Sequence, residues 1–354
     1  MLGCVLGDLY GSKFEGGSSA TRALPGLTEA NTFTDDTVCT MAVIDHLLHD
    51  LPIREAFKQW VSVYPNAGYG RAFSSWARGI LPEPVSSWGN GALMRISPVV
   101  LLSSTLEGAF ETADAITSST HSHPIARLAV RNYIELLWRA LEGATRDDLL
   151  ALWARKGGNI HTVESMHATG SPMRLRADET LEDVMSCLAE STSVDELLAN
   201  CLYHGGDSDT IAAVAGPFAE LLWGLEARHL SVITDNTDER VMAMLEALYT
   251  VARERSEADV EEPRAKELRA FIDGLENADW DALHDNLAQL VDVPLPNALL
   301  TQVIHKLSQE QLESVKRWGF DDTEVSDRLH LFFQNELKRF GSLDAWLNPP
   351  VATP

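Results

Sequence analysis

Residues 204–216 read "HGGDSDTIAAVAG". Asp207 and Asp209 follow a pair of glycines, and Thr210 then opens a run of small apolar residues. Burying like charges without partners is costly, because desolvation and mutual repulsion both oppose ionisation. Far upstream, "FTDDTVCTMAV" has the same grammar: Thr34, Asp35, Asp36 and Thr37 stand in a turn, and an apolar helix follows at once. Either knot alone fits an ordinary N-cap, since Asp and Thr are favoured there and the helix dipole welcomes negative charge. A single helix start, however, needs one cap and not a cluster. Asp35, Asp36, Asp207 and Asp209, with Thr34 and Thr210, converging from two helix starts make a hard-oxygen cage. Such a cage suits Mg²⁺, Ca²⁺ or Mn²⁺ better than zinc, which prefers His and Cys. A cation would supply the missing counter-charge. The run is no EF-hand, because no loop-ending Glu follows in register.

A third stretch is "WGNGALMRISPVV", residues 88–100. Gly89, Asn90 and Gly91 expose backbone N–H groups ahead of an apolar segment, a geometry that can cradle a diphosphate. Met94 stands where a Rossmann fingerprint needs its third glycine, and no GK[ST] makes it a P-loop. On its own the stretch also fits a plain turn. Arg95 is informative in so acidic a chain: it can pair with a carboxylate or face a ligand phosphate.

These groups need rigid elements to hold them, and helical patterns dominate the chain. "DTVCTMAVIDHLLHD" (36–50) has apolar residues at helical spacing, with Thr34 or Asp36 as its cap. "STLEGAFETADAI" and "SVDELLANCL" predict capping boxes at Ser104 with Glu107 and Ser193 with Glu196. "RLAVRNYIELLWRAL" (127–141) reads as a buried helix, and Ser308 with Gln311 opens another. Alternating strand patterns are scarce. The reading is an all-α protein.

The chain has 354 residues, 45% of them hydrophobic, which is ample for a sizeable core. Its formal net charge of −24 disfavours nucleic-acid backbones and acidic membranes. No apolar run approaches the roughly 18 residues of a membrane span. No signal peptide is visible, and Cys4, Cys39, Cys187 and Cys201 form no CxxC pair. A soluble, cytoplasmic protein is expected. The charged run "ARERSEADVEEPRAKE" (252–267) marks a candidate boundary, though a solvated helix face fits it equally. The division expected is 1–255 for the domain with the chemistry and 256–354 for a C-terminal helical extension. That extension carries a second "DDT" (Asp321 to Thr323), read as a simple helix cap, and the apolar "RLHLFFQNEL" (328–337), which suggests packing on the core.

Taken together, the motifs resemble the ADP-ribosylglycohydrolase family, which includes dinitrogenase reductase-activating glycohydrolase and the ADP-ribosyl-acceptor hydrolases. "GCVLGDLYGSKFEG" (3–16) looks like its opening helix and Glu-bearing turn, and "FTDDT" and "GGDSDTIAAVAG" like its two metal motifs. "WGNGALMR" is similar to its ADP-ribose loop and "STHSHP" (119–124) to its Thr-His segment, while "YPNAGYGRAFSSW" (64–76) resembles the bacterial branch. The resemblance spans residues 3 to about 225, with the motifs in the family's order.

What the resemblance implies is a compact all-α domain with two Mg²⁺ ions in a central cleft, Mn²⁺ being a possible substitute. Thr34, Asp35, Asp36, Asp207, Asp209 and Thr210 would ligate the metals. Glu15 would be a flap glutamate near them. Gly89, Asn90, Gly91, Ala92, Leu93, Met94 and Arg95 would form the loop holding the diphosphate and ribose, and His121 would contact ADP-ribose, unless it is a structural histidine like its neighbour His123. Tyr69 and Phe73 would wall the ligand or belong to the core. The implied activity is removal of ADP-ribose from modified protein side chains, arginine favoured over serine, by water attack at the anomeric carbon of the distal ribose. Glu15, Asp35 and Asp36 are the candidate bases. The implied partners are an ADP-ribosylated protein and the product ADP-ribose, with no nucleic acid and no membrane. Two alternatives stay open: another Mg²⁺-dependent hydrolase, of an ADP-ribose-like or phosphate-ester ligand, or a non-catalytic ADP-ribose-binding member of the fold.

Overall fold

In a computed structural model, which describes residues 1–84 and 86–254, the chain is built from α-helices. In chain order they are α1 (Leu2–Gly11), α2 (Asp35–His49), α3 (Ile53–Val63), α4 (Arg71–Ala77) and α5 (Pro98–Leu102). Then come α6 (Leu106–Ser118), α7 (Pro124–Leu141), α8 (Arg146–Arg155), α9 (Val163–Ala168) and α10 (Ala177–Ala189). The last are α11 (Val194–His204), α12 (Ser208–Trp223) and α13 (Ala227–Asn236). Residues 239–254 are again helical up to the limit of the described chain. No sheet forms among the described residues, where pairing is confined to two isolated bridges, Gly17 with Gly206 and Gly89 with Arg176. The all-α expectation therefore holds. The expectations for Asp321–Thr323, Ser308 with Gln311, and residues 328–337 lie outside the described residues.

Local chemistry sets the helix starts. Thr34 caps α2 by accepting from the Asp36 N–H. Pro124 opens α7, whose cap is His123, with Nδ1 accepting from Ile125 N. Helix α6 begins one residue later than the sequence suggested: Thr105, not Ser104, accepts from Gly108 N. Ser193 caps α11 as expected, but the Glu196 carboxylate takes its hydrogen bonds from Thr192, so the reciprocal box does not close.

The axis of the fold is the crossing of α1 and α12. Gly3, Gly7 and Gly11 recur every four residues along one face of α1. A Cβ on Gly7 would lie 2.0 Å from the Ala212 carbonyl oxygen, and one on Gly216 would lie 1.8 Å from the Gly3 carbonyl oxygen. The two backbones therefore touch, and only glycine permits that approach. Around this pair, Val5 and Leu9 of α1, Met41 and Ile44 of α2, Tyr133 and Leu137 of α7, Leu181 of α10, and Ile211 and Phe218 of α12 form one buried cluster. Tyr133 donates to the Val214 carbonyl at 2.9 Å, which satisfies its hydroxyl inside the core. The result places the N-terminal ends of α2 and α12 side by side, with α1 behind them.

Candidate active site

The acidic knots begin α2 and α12, and they meet. Asp36 is buried, and its Oδ2 accepts from the Thr210 hydroxyl at 3.2 Å. Its Oδ1 is buried with no hydrogen-bond partner. Asp207 sits at the N-cap of α12 but makes no capping bond. Its Oδ2 instead accepts from Asn90 Nδ2 at 2.5 Å, which ties the glycine loop to the second knot. Asp209 Oδ1 accepts from Thr210 N at 3.0 Å. The turn carrying Glu15 is held against the same loop, since Gly16 N donates to Gly206 O at 2.7 Å and Gly206 N to Gly17 O at 2.8 Å.

A group absent from the sequence reading lies at the centre. Asp8, on α1, is fully buried. It accepts four hydrogen bonds: from Thr34 N and Oγ1 at 2.8 Å each, from Thr37 N at 3.1 Å and from Thr37 Oγ1 at 2.5 Å. Three of these fall on Oδ2 and one, from Thr34 Oγ1, on Oδ1, so Oδ1 keeps a lone pair. Through the four bonds Asp8 fixes the turn that aims Asp36. The signal was present in "GCVLGDLYG", an aspartate on an otherwise apolar helix, but its partners stand far away in sequence.

Asp8, Asp36 and Asp209 bring carboxylate oxygens within 4.8 Å of one another, and Glu15, Asp207 and Asp209 form a second such group. The first group could hold a metal ion. The donor set is oxygen alone, and the partnerless Asp36 Oδ1 is the kind of atom a cation satisfies, so a hard divalent ion fits these residues. Within that group Asp36 Oδ1 has no partner and Asp8 Oδ1 accepts one hydrogen bond alone, so both keep lone pairs for a cation. Asp35 belongs to neither group, although it lines the same cleft.

Without a cation the cluster resists ionisation. Burial first, then Asp8 and Asp207, raise the Asp35 pKa to about 7. Burial, then Asp207, Asp8 and Glu15, raise Asp209 to about 9. Asp36 is pushed up by burial and by Asp209, and Asp207 by burial against the opposing Asn90 hydrogen bond. Glu15, exposed at the mouth, is raised by partial burial and then by Asp207.

The cleft has a volume of about 410 Å³. Of the residues expected to touch a ligand, Gly89, Asn90, Gly91, Met94, Arg95 and His121 line it. Ala92 and Leu93 do not; they are wholly buried in the core. Arg95 pairs with no carboxylate among the described residues. Its guanidinium lies 4.4 Å from the Phe57 ring centroid and 5.6 Å from that of Phe73, and it donates to Thr120 Oγ1 and, at 3.1 Å, to His121 Nδ1. Because arginine can only donate, His121 Nδ1 accepts and the ring proton belongs on Nε2. Burial and Arg95 both hold the His121 pKa well below the usual histidine value, so the ring is neutral. Its Nε2 faces the glycine loop: a Cβ on Gly91 would lie 3.2 Å away. Phe73 lines the cleft, whereas Tyr69 does not and donates to Tyr64 O at 2.8 Å. Gly68, Arg71, Trp88, Met173 and Leu175 also line it and were not expected from the sequence.

His204 precedes the second knot and steadies it. It is buried with Nε2 3.4 Å from Asp183 Oδ1, and Asp183 also receives Arg174. Burial pulls the His204 pKa down, but the nearby Asp183 and the other neighbouring charges lift it to about 9.

An all-α fold thus brings an acidic oxygen cluster at two helix starts, which could hold a metal ion, into one cleft with a glycine loop and a neutral histidine. Comparison with known proteins agrees. The ADP-ribosylglycohydrolase family model matches residues 1–258, and the chain belongs to that family. It is 23% identical over 309 residues to the ADP-ribosylhydrolase ARH3 of Xenopus tropicalis, covering 64% of this chain and 86% of that protein. It is 24% identical over 307 residues to the ADP-ribosylhydrolase ARH3 of Bos taurus, with 64% and 84% covered. A solved structure described as an ADP-ribosylglycohydrolase-related protein complex superposes with a TM-score of 0.56 and 25% identity, over 71% of this chain and 95% of that one. Membership carries a general ADP-ribose-related hydrolytic function. Among the described residues no helix is long and apolar enough to cross a membrane.

Proposed function

We propose that the protein is a divalent-metal-dependent hydrolase that releases ADP-ribose from modified protein side chains, arginine foremost. The observation that carries this reading is the uncompensated carboxylate cluster, with its partnerless Asp36 Oδ1, beside the Gly89–Gly91 loop and His121 in one cleft. Residues 1–255 form the catalytic part in this reading. Mg²⁺ is the cation proposed, with Mn²⁺ as a substitute. The two carboxylate groups sharing Asp209 support a count of two ions. Asp36, Asp207, Asp209 and Thr210 hold them, with Thr34 and Asp35 at the first knot and Glu15 reaching in from its turn. A bound divalent cation supplies the missing positive charge and polarises water.

The chain's own residues then do the rest. Gly89 N is bonded to Ser87 Oγ and Asn90 N to Leu175 O, so the Gly91 amide and the His121 Nε2–H are the donors this loop offers to ligand oxygens. Asp35 fits the base best: it lines the cleft and lies outside both carboxylate groups. Water oxygen bonds to the anomeric carbon of the distal ribose as the bond to the acceptor nitrogen breaks, through a transition state resembling an oxocarbenium ion. Asp35 takes the water proton, the bonding pair stays on the acceptor nitrogen so that the substrate's guanidinium leaves as a neutral guanidine, and that guanidine then recovers the proton from Asp35 as ADP-ribose is freed. The carboxylate-lined mouth and the net charge of −24 favour a cationic acceptor.

The test is a rate comparison on arginine- and serine-linked ADP-ribosyl peptides, with Mg²⁺ and after chelation. Mg²⁺-dependent release of ADP-ribose, faster from arginine, is expected. Faster serine cleavage overturns the acceptor assignment, release of phosphate instead of ADP-ribose points to a phosphoesterase, and full activity after chelation removes the metal.

A further inference from the structure

The cleft wall carries two arginines, Arg71 and Arg95, among side chains whose other charges are all carboxylates: Glu15, Asp35, Asp36, Asp207 and Asp209. Arg95 is buried and committed to Thr120, His121 and two phenyl rings. Arg71 is different. It is exposed, and among the described residues no hydrogen bond, ion pair or ring contact engages it. Several exposed arginines of this acidic chain are matched, as Arg54 is by Glu83, Arg127 by Asp114 and Arg228 by Asp195, and Arg71 differs from the unmatched Arg155 in lining the cleft. A free guanidinium beside five carboxylates, none of which it pairs with, asks for another partner.

Its backbone is held where that partner would be. Asp35 N donates to Ala67 O at 2.6 Å, so the turn before Arg71 is bonded to the first acidic knot. Gly68 passes close enough that a Cβ there would lie 3.5 Å from Asp35 Oδ1. Arg71 then opens α4, which Phe73 and Trp76 pin down: Phe73 packs edge-on against Phe57 at 5.5 Å between ring centroids. A fixed backbone thus presents a long, uncommitted cationic side chain to the cleft.

We propose that Arg71 is the charge anchor for the diphosphate of the ligand, a specificity-determining residue that admits a dianion to an otherwise acidic cleft. The inference rests on the ADP-ribosyl hydrolase reading above. The planar guanidinium fork matches phosphate oxygens in two-point fashion, which an ammonium or an amide does not. Cations held by the carboxylates are needed to balance those carboxylates, so the diphosphate requires positive charge of its own. The Gly91 amide, the one amide of the Gly89–Gly91 stretch not bonded within the protein, gives direction to the ligand, but no net charge.

The experiment is calorimetric titration of ADP-ribose into the full-length protein with Mg²⁺ present, at low and high salt. The proteins compared are wild type, Arg71→Gln, Arg71→Lys and, as a net-charge control on the surface of α8, Arg155→Gln. Arg71→Gln should weaken binding about tenfold or more, the size expected for losing a charge-assisted pair. Arg71→Lys should recover part of the loss, Arg155→Gln should match wild type, and the salt dependence should shrink in Arg71→Gln alone. In turnover the Arg71→Gln loss should fall on KM more than on kcat. Wild-type affinity in Arg71→Gln at both salt concentrations overturns the anchor and leaves the hydrolase reading standing. An equal loss in Arg155→Gln also overturns it, by reducing the effect to overall charge. Absence of ADP-ribose binding by the wild type overturns the hydrolase reading itself.

Discussion

Asp8 and Asp36 are buried neighbours with opposite duties. Both oxygens of Asp8 accept hydrogen bonds from Thr34 and Thr37, whereas Asp36 keeps one oxygen with no partner and is surrounded by like charge. Asp8→Ala should therefore destabilise the metal-free protein by about 1–3 kcal/mol, since it strands buried donors. Asp36→Asn should instead raise the metal-free melting temperature, because it relieves repulsion. Both should abolish turnover, and only Asp36→Asn should also abolish the stabilisation given by Mg²⁺. Parallel thermal melts with and without Mg²⁺ decide the matter; stability shifts of the same sign in both variants would contradict the division of roles. The contrast explains what sequence could supply at this scale. Asp36 and Asp209 were legible because clustered carboxylates ahead of apolar helices pose an unsolved charge problem. Asp8 was not, because a lone aspartate becomes meaningful only when residues 26 and 29 positions away arrive as donors. Arg95 was legible as unusual, but its aromatic partners Phe57 and Phe73 come from α3 and α4, which no spacing along the chain reveals.

Helices α1 and α12 are the elements that bring the carboxylates together. Their closeness depends on glycine, since an added Cβ on Gly7 meets the Ala212 carbonyl at 2.0 Å and one on Gly11 meets the Asp209 Cα at 2.4 Å. Backbone atoms cannot rotate aside as a flexible side chain can. Gly7→Ala should therefore cost about 1–3 kcal/mol or more by overpacking. It should also lower activity beyond what stability explains, because the helix that carries Asp8 has to move away from the one that carries Asp209. Denaturant midpoints together with rates measured well below the melting temperature test this; wild-type stability would mean that the helices can separate freely. Helix existence and type were readable from apolar spacing and capping residues, and the caps at Thr34 and Ser193 stand where expected. The α6 start moved to Thr105 because Ser104 and Thr105 are chemically equivalent caps, and register is settled by packing. The crossing itself was hidden, since Gly3, Gly7 and Gly11 gain meaning only against Gly216 and Ala212.

At the scale of the whole molecule, the cleft makes stability depend on pH in a direction opposite to that of most paired carboxylates. Asp35 and Asp209 titrate at about 7 and about 9 in the cation-free fold, and Asp8, Asp36 and Asp207 are raised as well. In the unfolded chain aspartates titrate near ~4. Between those limits the folded state binds more protons than the unfolded one, so the unfolding free energy falls as pH rises. The stabilising contribution is complete below about pH 4 and is lost as pH climbs through 7 and 9. His204, lifted to about 9 beside Asp183, adds a loss of the same sign above its ordinary value, while the depressed His121 acts in the opposite direction. Neither histidine belongs to the carboxylate cluster, so cation dependence separates its share from theirs. A divalent ion competes with protons for the same oxygens. Its stabilisation should be small at pH 5 and should approach about 2.7 kcal/mol at pH 8 when the ion is at a hundred times its dissociation constant. The expected result is a metal-free melting temperature that declines from pH 5 to pH 8 and a Mg²⁺-induced gap that widens over the same range. A gap of constant size would show that the cation binds elsewhere, because only a site built from protonated carboxylates makes metal and proton mutually exclusive.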